Sequence, residues 1–163
     1  MSVHARHQLG RPAFSLIEVV IAVIVLAIAV PPTLNLMDSA AAGRADAINT
    51  TRATILATCV LETVTADINS DAAGLGFDAL ADDDAYLNTP TTGLIDRLDP
   101  IVEPYTSVGF SYTVTIGPLV SSDGTVSATV SENIFRVITV SVGYTSATSD
   151  PYLLPVSTMV SAL

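Results

Sequence analysis

Lysine is absent from this chain of 163 residues, and its six arginines stand against sixteen acids, a formal charge of −10. Such a surface repels phosphate backbones, so no nucleic acid is expected as a direct partner. It suits a solvated exterior that attracts only cations or basic protein surfaces. Cysteine is limited to Cys59, which excludes an intramolecular disulfide and any Cys/His metal cluster. Both histidines, His4 and His7, lie in the first ten residues. None is left downstream for a catalytic triad or a histidine-ligated metal, which weighs against most familiar hydrolases and metalloenzymes. No enzyme activity and no cofactor are expected. A nucleotide-binding glycine loop is missing too, since "GLGF" lacks both the spacing and a preceding strand.

Apolar residues, in contrast, make up 50% of the chain, and mean hydropathy is +0.56. Much of that excess lies in "RPAFSLIEVVIAVIVLAIAVPP", Arg11 to Pro32. Between Phe14 and Met37 the one charge is Glu18. As a helix this stretch would measure about 36 Å, enough to cross a hydrocarbon core of about 30 Å with some tilt. Arg6 and Arg11 precede it and Asp38 follows, so the basic side should stay cytoplasmic and the C-terminal bulk should lie outside. A secretory signal peptide cut near Ala40-Ala41-Ala42 is one alternative, although Pro31 to Ala42 is long for the region before such a cut. An ordinary uncleaved anchor is another, and it leaves Glu18 unexplained.

"AFSLIEVVIAVIVLAIAV" resembles the N-terminal segment of type IV prepilins and of the pseudopilins of type II secretion. In that family a prepilin peptidase cuts a short basic leader before a phenylalanine and N-methylates the new terminus. The resemblance implies a leader at residues 1–13, cleavage between Ala13 and Phe14, and N-methylation of Phe14. Ala13 stands where the family usually has glycine. Losing Arg6 and Arg11 would take the formal charge from −10 to −12. Glu18 takes the place of the family's glutamate at the fifth mature position. A carboxylate in hydrocarbon costs about 2.5–3.5 kcal/mol, so an intramembrane acid is a functional residue by default. Paired with the Phe14 amine of a neighbouring subunit, Glu18 would reward correct register; alone, it would snorkel to the cytoplasmic headgroups.

Pro31 and Pro32 cannot donate to the carbonyls of Ala27 and Ile28, so the helix should kink or loosen there. One kinked stalk is expected, with a membrane part at 14–37 and an amphipathic part at 38–68. Met37, Ala41, Ala45, Ile48, Ile55, Cys59 and Glu62 fall at helical spacing and predict the face that covers a sheet. Arg44 and Arg52 are expected off that face, paired with nearby acids. Residues 69–107 read as an irregular acidic connection with one or two helical turns. Asp82, Asp83 and Asp84 are calcium candidates of low weight, because consecutive acids cannot easily converge on one ion. A solvated acidic turn is the plainer reading.

Strand signals fill 108–163. Val108–Gly117 alternates, Ser121–Gly124 is a turn, and Thr125–Val130 is a weaker strand. Asn133–Thr145 is the strongest, with Ile138, Val140, Val142 and Tyr144 on one face. Tyr152–Ala162 is the last strand, and Pro155 suggests an edge or a bulge. The fold class expected is α+β, a long N-terminal membrane-spanning helix packed on an antiparallel meander. That order is also the one the resemblance implies, and "FRVITVSVGYTS…YLLPVSTMVS" is similar to the last strand pair of minor pilins and I-type minor pseudopilins. The implied function is a structural subunit of a pilus or pseudopilus. Its implied partners are the prepilin peptidase, other pilins or pseudopilins, the inner-membrane assembly platform and membrane lipid. A secreted or anchored β-rich binding module, calcium-dependent or not, is the alternative. An anchored enzyme would need paired carboxylates such as Asp96 and Asp99, which read better as a surface helix end with a local ion pair.

Overall fold

The computed structural model describes residues 15–162. Helix α1 (Leu16–Ile68) is followed by a 3-10 turn (Phe77–Ala81) and helices α2 (Asp83–Asn88) and α3 (Leu94–Thr106). Strand β1 (Ser111–Val120), a 3-10 turn (Val130–Glu132), and strands β2 (Phe135–Thr145) and β3 (Pro151–Ser161) complete the chain. The layout is α+β, with one long apolar helix and a three-stranded antiparallel sheet in the order β1-β2-β3. Two compact units meet in sequence between Ala41 and Ala42.

In the second unit, α1 and α3 lay apolar ridges on the even-numbered face of β2. Ile138, Val140 and Val142 are fully buried, as their alternation predicts. They form one core with Leu56, Val60 and Val64 of α1 and with Leu94, Leu98 and Val102 of α3. Each fully buried side chain of this size contributes about 1.5–3 kcal/mol. The helix face is not the expected one. Ala53, Leu56, Ala57, Val60 and Val64 are buried, whereas Ile48 and Ile55 are 54% and 52% exposed. Small and apolar residues occur all round α1, so two stripes at helical spacing compete. The one with two alanines packs closest to a sheet. Threonines are accommodated because Thr50, Thr51, Thr54, Thr63 and Thr65 each donate to the carbonyl four residues back. Thr50 also pairs with Tyr144 Oη at 2.8 Å, and the Ala147 amide donates to Asp46 at 2.8 Å, tying α1 to the β2–β3 end of the sheet.

Residues 69–107 hold more helix than expected. α3 contains Pro100 and Pro104, yet Leu94, Leu98 and Val102 at four-residue steps are buried. An interior proline costs about 3 kcal/mol. Three buried side chains offset two such losses, with Tyr105 packed beside them. Thr125–Val130 is not a strand. The Asn133 side chain takes both ladder bonds of Ser127, accepting from its amide at 2.8 Å and donating to its carbonyl at 2.9 Å. In β1, Gly117 and Pro118 form a bulge between Ile116 and Leu119. Arg136 Nη1 donates to the Gly117 carbonyl at 2.9 Å there. Pro155 lies on β3, an edge strand, as its missing donor requires.

Two glycines give contrasting tests. A Cβ on Gly93 would lie 2.7 Å from the Leu87 carbonyl and from the Thr89 amide and carbonyl, all backbone, whereas Gly43 in α1 faces open space. Gly93→Ala should therefore destabilise the domain by about 1–3 kcal/mol. Gly43→Ala should stabilise its helix by about 0.5–1 kcal/mol. Urea unfolding of the full chain in detergent checks both.

Candidate functional site

Two arrangements stand out: the exposed start of α1 and a buried carboxylate near its end. Every residue from Ser15 to Ala41 is exposed. An 18-residue window of this helix has mean hydropathy 2.5 and no buried residue, which fits membrane anchoring. Ser15 opens the helix. Its carbonyl and its Oγ both accept from the Glu18 amide, at 3.1 and 3.3 Å. Ser15-Leu16-Ile17-Glu18 is thus the Ser-x-x-Glu pattern of a helix start, with the acid in the first turn. A carboxylate there gains about 0.3–1 kcal/mol from the helix dipole. That is well short of the roughly 2.5–3.5 kcal/mol that a carboxylate costs at the centre of a membrane-spanning helix. Capping explains where Glu18 sits but leaves most of its cost to water, headgroups or a cation. Ala13 and Phe14, the expected processing site, lie outside the described residues.

Pro31 and Pro32 sit inside α1, which continues through them as one helical element. The Thr33 hydroxyl donates to the Ala29 carbonyl at 2.7 Å, adding a bond where the prolines remove two donors. Asp82, Asp83 and Asp84 begin α2. Asp82 caps it by accepting from the Ala85 amide at 3.0 Å, and Asp84 accepts from Asn88 at 2.7 Å. Asp82 thus serves the helix start, and among the described residues no group of three or more His, Cys, Asp or Glu side chains is placed to hold a metal ion.

The second arrangement was not expected. Asp67, in the last turns of α1, is only 6% exposed. Arg97 of α3 grips it with two bonds, Nη1 to Oδ1 at 2.9 Å and Nη2 to Oδ2 at 2.6 Å. Tyr86 of α2 donates to Oδ2 at 2.6 Å. The Asp67 carbonyl also accepts from the amides of Ser70 and Gly76. One residue therefore draws together α1, α2, α3 and the turn between them. Burial first, and then the bond to Asp67 and its charge, push the Tyr86 hydroxyl well above the ordinary tyrosine range. The bond to Asp67 raises Arg97 as well. Every polar group in the cluster is occupied, so its chemistry is that of a clamp, not of a reacting centre. Arg97 thus bonds a residue of another helix, not its neighbours Asp96 and Asp99. Arg44 and Arg52 likewise depart from expectation, being exposed and without an ion pair among the described residues. The signal for the clamp was present as an acid in step with Val60 and Val64.

Set against protein-family models, curated proteins and solved structures, the chain finds no match.

The clamp makes two predictions. Arg97→Met leaves a buried carboxylate without its cation and should cost about 3–5 kcal/mol. The Asp67→Leu/Arg97→Met double variant should lose less than the two single changes summed, as urea unfolding would show. Tyr86 has its pKa raised on folding, so its contribution is complete below its unfolded value of about 10 and fades as pH rises above that. Unfolding midpoints at pH 8 and 11 should therefore differ more in the parent chain than in Tyr86→Phe.

Proposed function

We propose that the chain is a structural subunit, a minor pilin or pseudopilin, held in the inner membrane and then drawn into a pilus or pseudopilus. The observation that carries this reading is α1 itself. Its first part exposes apolar side chains on all sides with a single acid in the first turn, and its later turns pack on a sheet. A helix built this way needs an apolar surrounding that can change from lipid to neighbouring helices. Glu18 then needs a cation at the same depth. In this reading the leader is cytoplasmic, the sheet lies outside the membrane, and cleavage before Phe14 frees an amine four residues from Glu18. The amine of one subunit pairs with Glu18 of the next, and the mispaired alternatives leave a charge in hydrocarbon.

The alternative is a secreted module cut after Ala42. Such a cut would fall inside α1 but eleven positions before its first buried residue, Ala53, so it would leave the buried core intact, and the mature terminus is what separates the two readings. The prepilin peptidase, an assembly platform and sister subunits are the partners this function requires.

The mature N-terminus, read by mass spectrometry of membranes from cells that contain the peptidase, tests the proposal. N-methylated Phe14 is expected; a chain starting near Gly43 overturns it. Glu18→Gln separates charge from capping, because glutamine serves in the Ser-x-x-Gln start as well as glutamate does. Fibre yield should fall about tenfold or more with membrane levels unchanged, the ratio that a loss of about 1.4 kcal/mol produces. Normal assembly by Glu18→Gln would reduce the acid to a helix cap.

A further inference from the structure

Within the second unit, α1 carries another apolar face that the sheet leaves bare. Ile48 and Ile55 are more than half exposed, and Cys59 continues their line half-buried. This face lies about 130° round the helix from the buried one. Arg44 and Arg52 stand one turn before and after Ile48 on the same ridge, both exposed. The other two arginines of the described residues are engaged. Arg97 is held by Asp67, and Arg136 donates to the Gly117 carbonyl. The exposed arginines of the described residues therefore sit on this one ridge, around exposed isoleucines.

α3 presents the complementary surface. Ile95 is 43% exposed, and Asp99 and Glu103 follow it at four-residue steps, also exposed. Neither carboxylate has a hydrogen-bond or ion-pair partner among the described residues; the Glu103 backbone carbonyl alone accepts from Thr106 and Ser107. We propose that the Arg44–Ile48–Arg52–Ile55 ridge of one copy docks on the Ile95–Asp99–Glu103 ridge of a second copy. Arg44, Ile48 and Arg52 on one side and Ile95, Asp99 and Glu103 on the other are spaced i, i+4, so the two ridges interdigitate at a rise of about 6 Å per step, with Ile55 beside the end of the first. The isoleucines exclude water at the centre, and the arginines meet carboxylates at the rim. Copies of charge −10, or −12 once the leader is lost, repel one another, so association favours a face where the sign is reversed. The two ridges are different surfaces, so the contact is heterologous and propagates from copy to copy. The inference rests on the fibre reading for bringing copies together in one membrane.

The test uses the full chain in membranes, in a Cys59→Ser background. Copies carrying Ile48→Cys and copies carrying Ile95→Cys, with different tags, are treated with a short bis-maleimide. The mixed-tag 48–95 dimer should exceed the 48–48 and 95–95 dimers about tenfold. Arg44→Glu/Arg52→Glu on the first copy should lower it about tenfold, a ratio equivalent to about 1.4 kcal/mol. Adding Asp99→Arg/Glu103→Arg to the second copy should restore it, which no misfolded variant could do. Equal same-face dimers, indifference to charge reversal, or crosslinks only to other proteins would overturn the proposal. Absence of the dimer in chains correctly cut at Phe14 would overturn it and leave the fibre reading standing. A dimer in chains that keep their leader would support the contact and count against the fibre reading alone.

Discussion

Burying one side of α1 and only one is the constraint on which the rest of this structure turns. Ala53, Leu56, Ala57, Val60 and Val64 commit that side to Ile138, Val140 and Val142 of the sheet. The two alanines let the helix backbone approach, and the valines and leucine fill the space between the β-branched side chains of β2. Once that face is fixed, the helix phase is fixed along the part of α1 that belongs to the second unit. Ile48 and Ile55 must then face outward, Asp67 must enter the interior, and Thr50 must meet Tyr144. None of these placements is a free choice after the first.

Asp67 shows how a consequence becomes a fastening. A carboxylate brought inside by helix phase has to be paired or lost. Arg97 and Tyr86 pair it, and in doing so they hold the segment between α1 and β1, which has no cysteine partner to staple it. α3 survives two prolines for the same reason. Its apolar ridge packs on the core, and its one arginine is anchored at the far end of α1. An apolar triad at these positions would pack without any charge being desolvated. What the ionic version adds is a single register: only one rotation of α3 puts a bidentate fork opposite Asp67.

Much of this was legible in the sequence where one periodicity had no rival. Ile138, Val140, Val142 and Tyr144 alternate against small polar neighbours, so the buried face of β2 could be read directly. Pro155 marked an edge, and the long apolar run marked the first helix. α1 beyond Met37 was harder, because alanine, valine and threonine are spread around it and two stripes satisfy the same spacing. Choosing between them needs the sheet, which a helical pattern does not contain. α3 was hidden by Pro100 and Pro104, and the strand expected at Thr125–Val130 was displaced by the Asn133 side chain, a competitor with no periodic signature. The clamp was hidden most deeply, since thirty residues separate Asp67 from Arg97.

The first turn of α1 raises the same question of phase for Glu18. Ser15 fixes where the helix begins, and that places the acid at the third helical position, where a backbone cap and a membrane-depth charge coincide. Capping alone would be served as well by a neutral glutamine, and it would not require some twenty apolar residues to follow. An apolar span alone would be served better by no acid at all. The two features are compatible where the surroundings of that turn supply water, polar headgroups or a positive charge at the same depth. Lipid hydrocarbon does not offer one, and within Ser15 to Met37 the chain has no base. In the fibre reading proposed above a neighbouring subunit supplies that cation, and it can do so at a single fixed register while headgroups cannot.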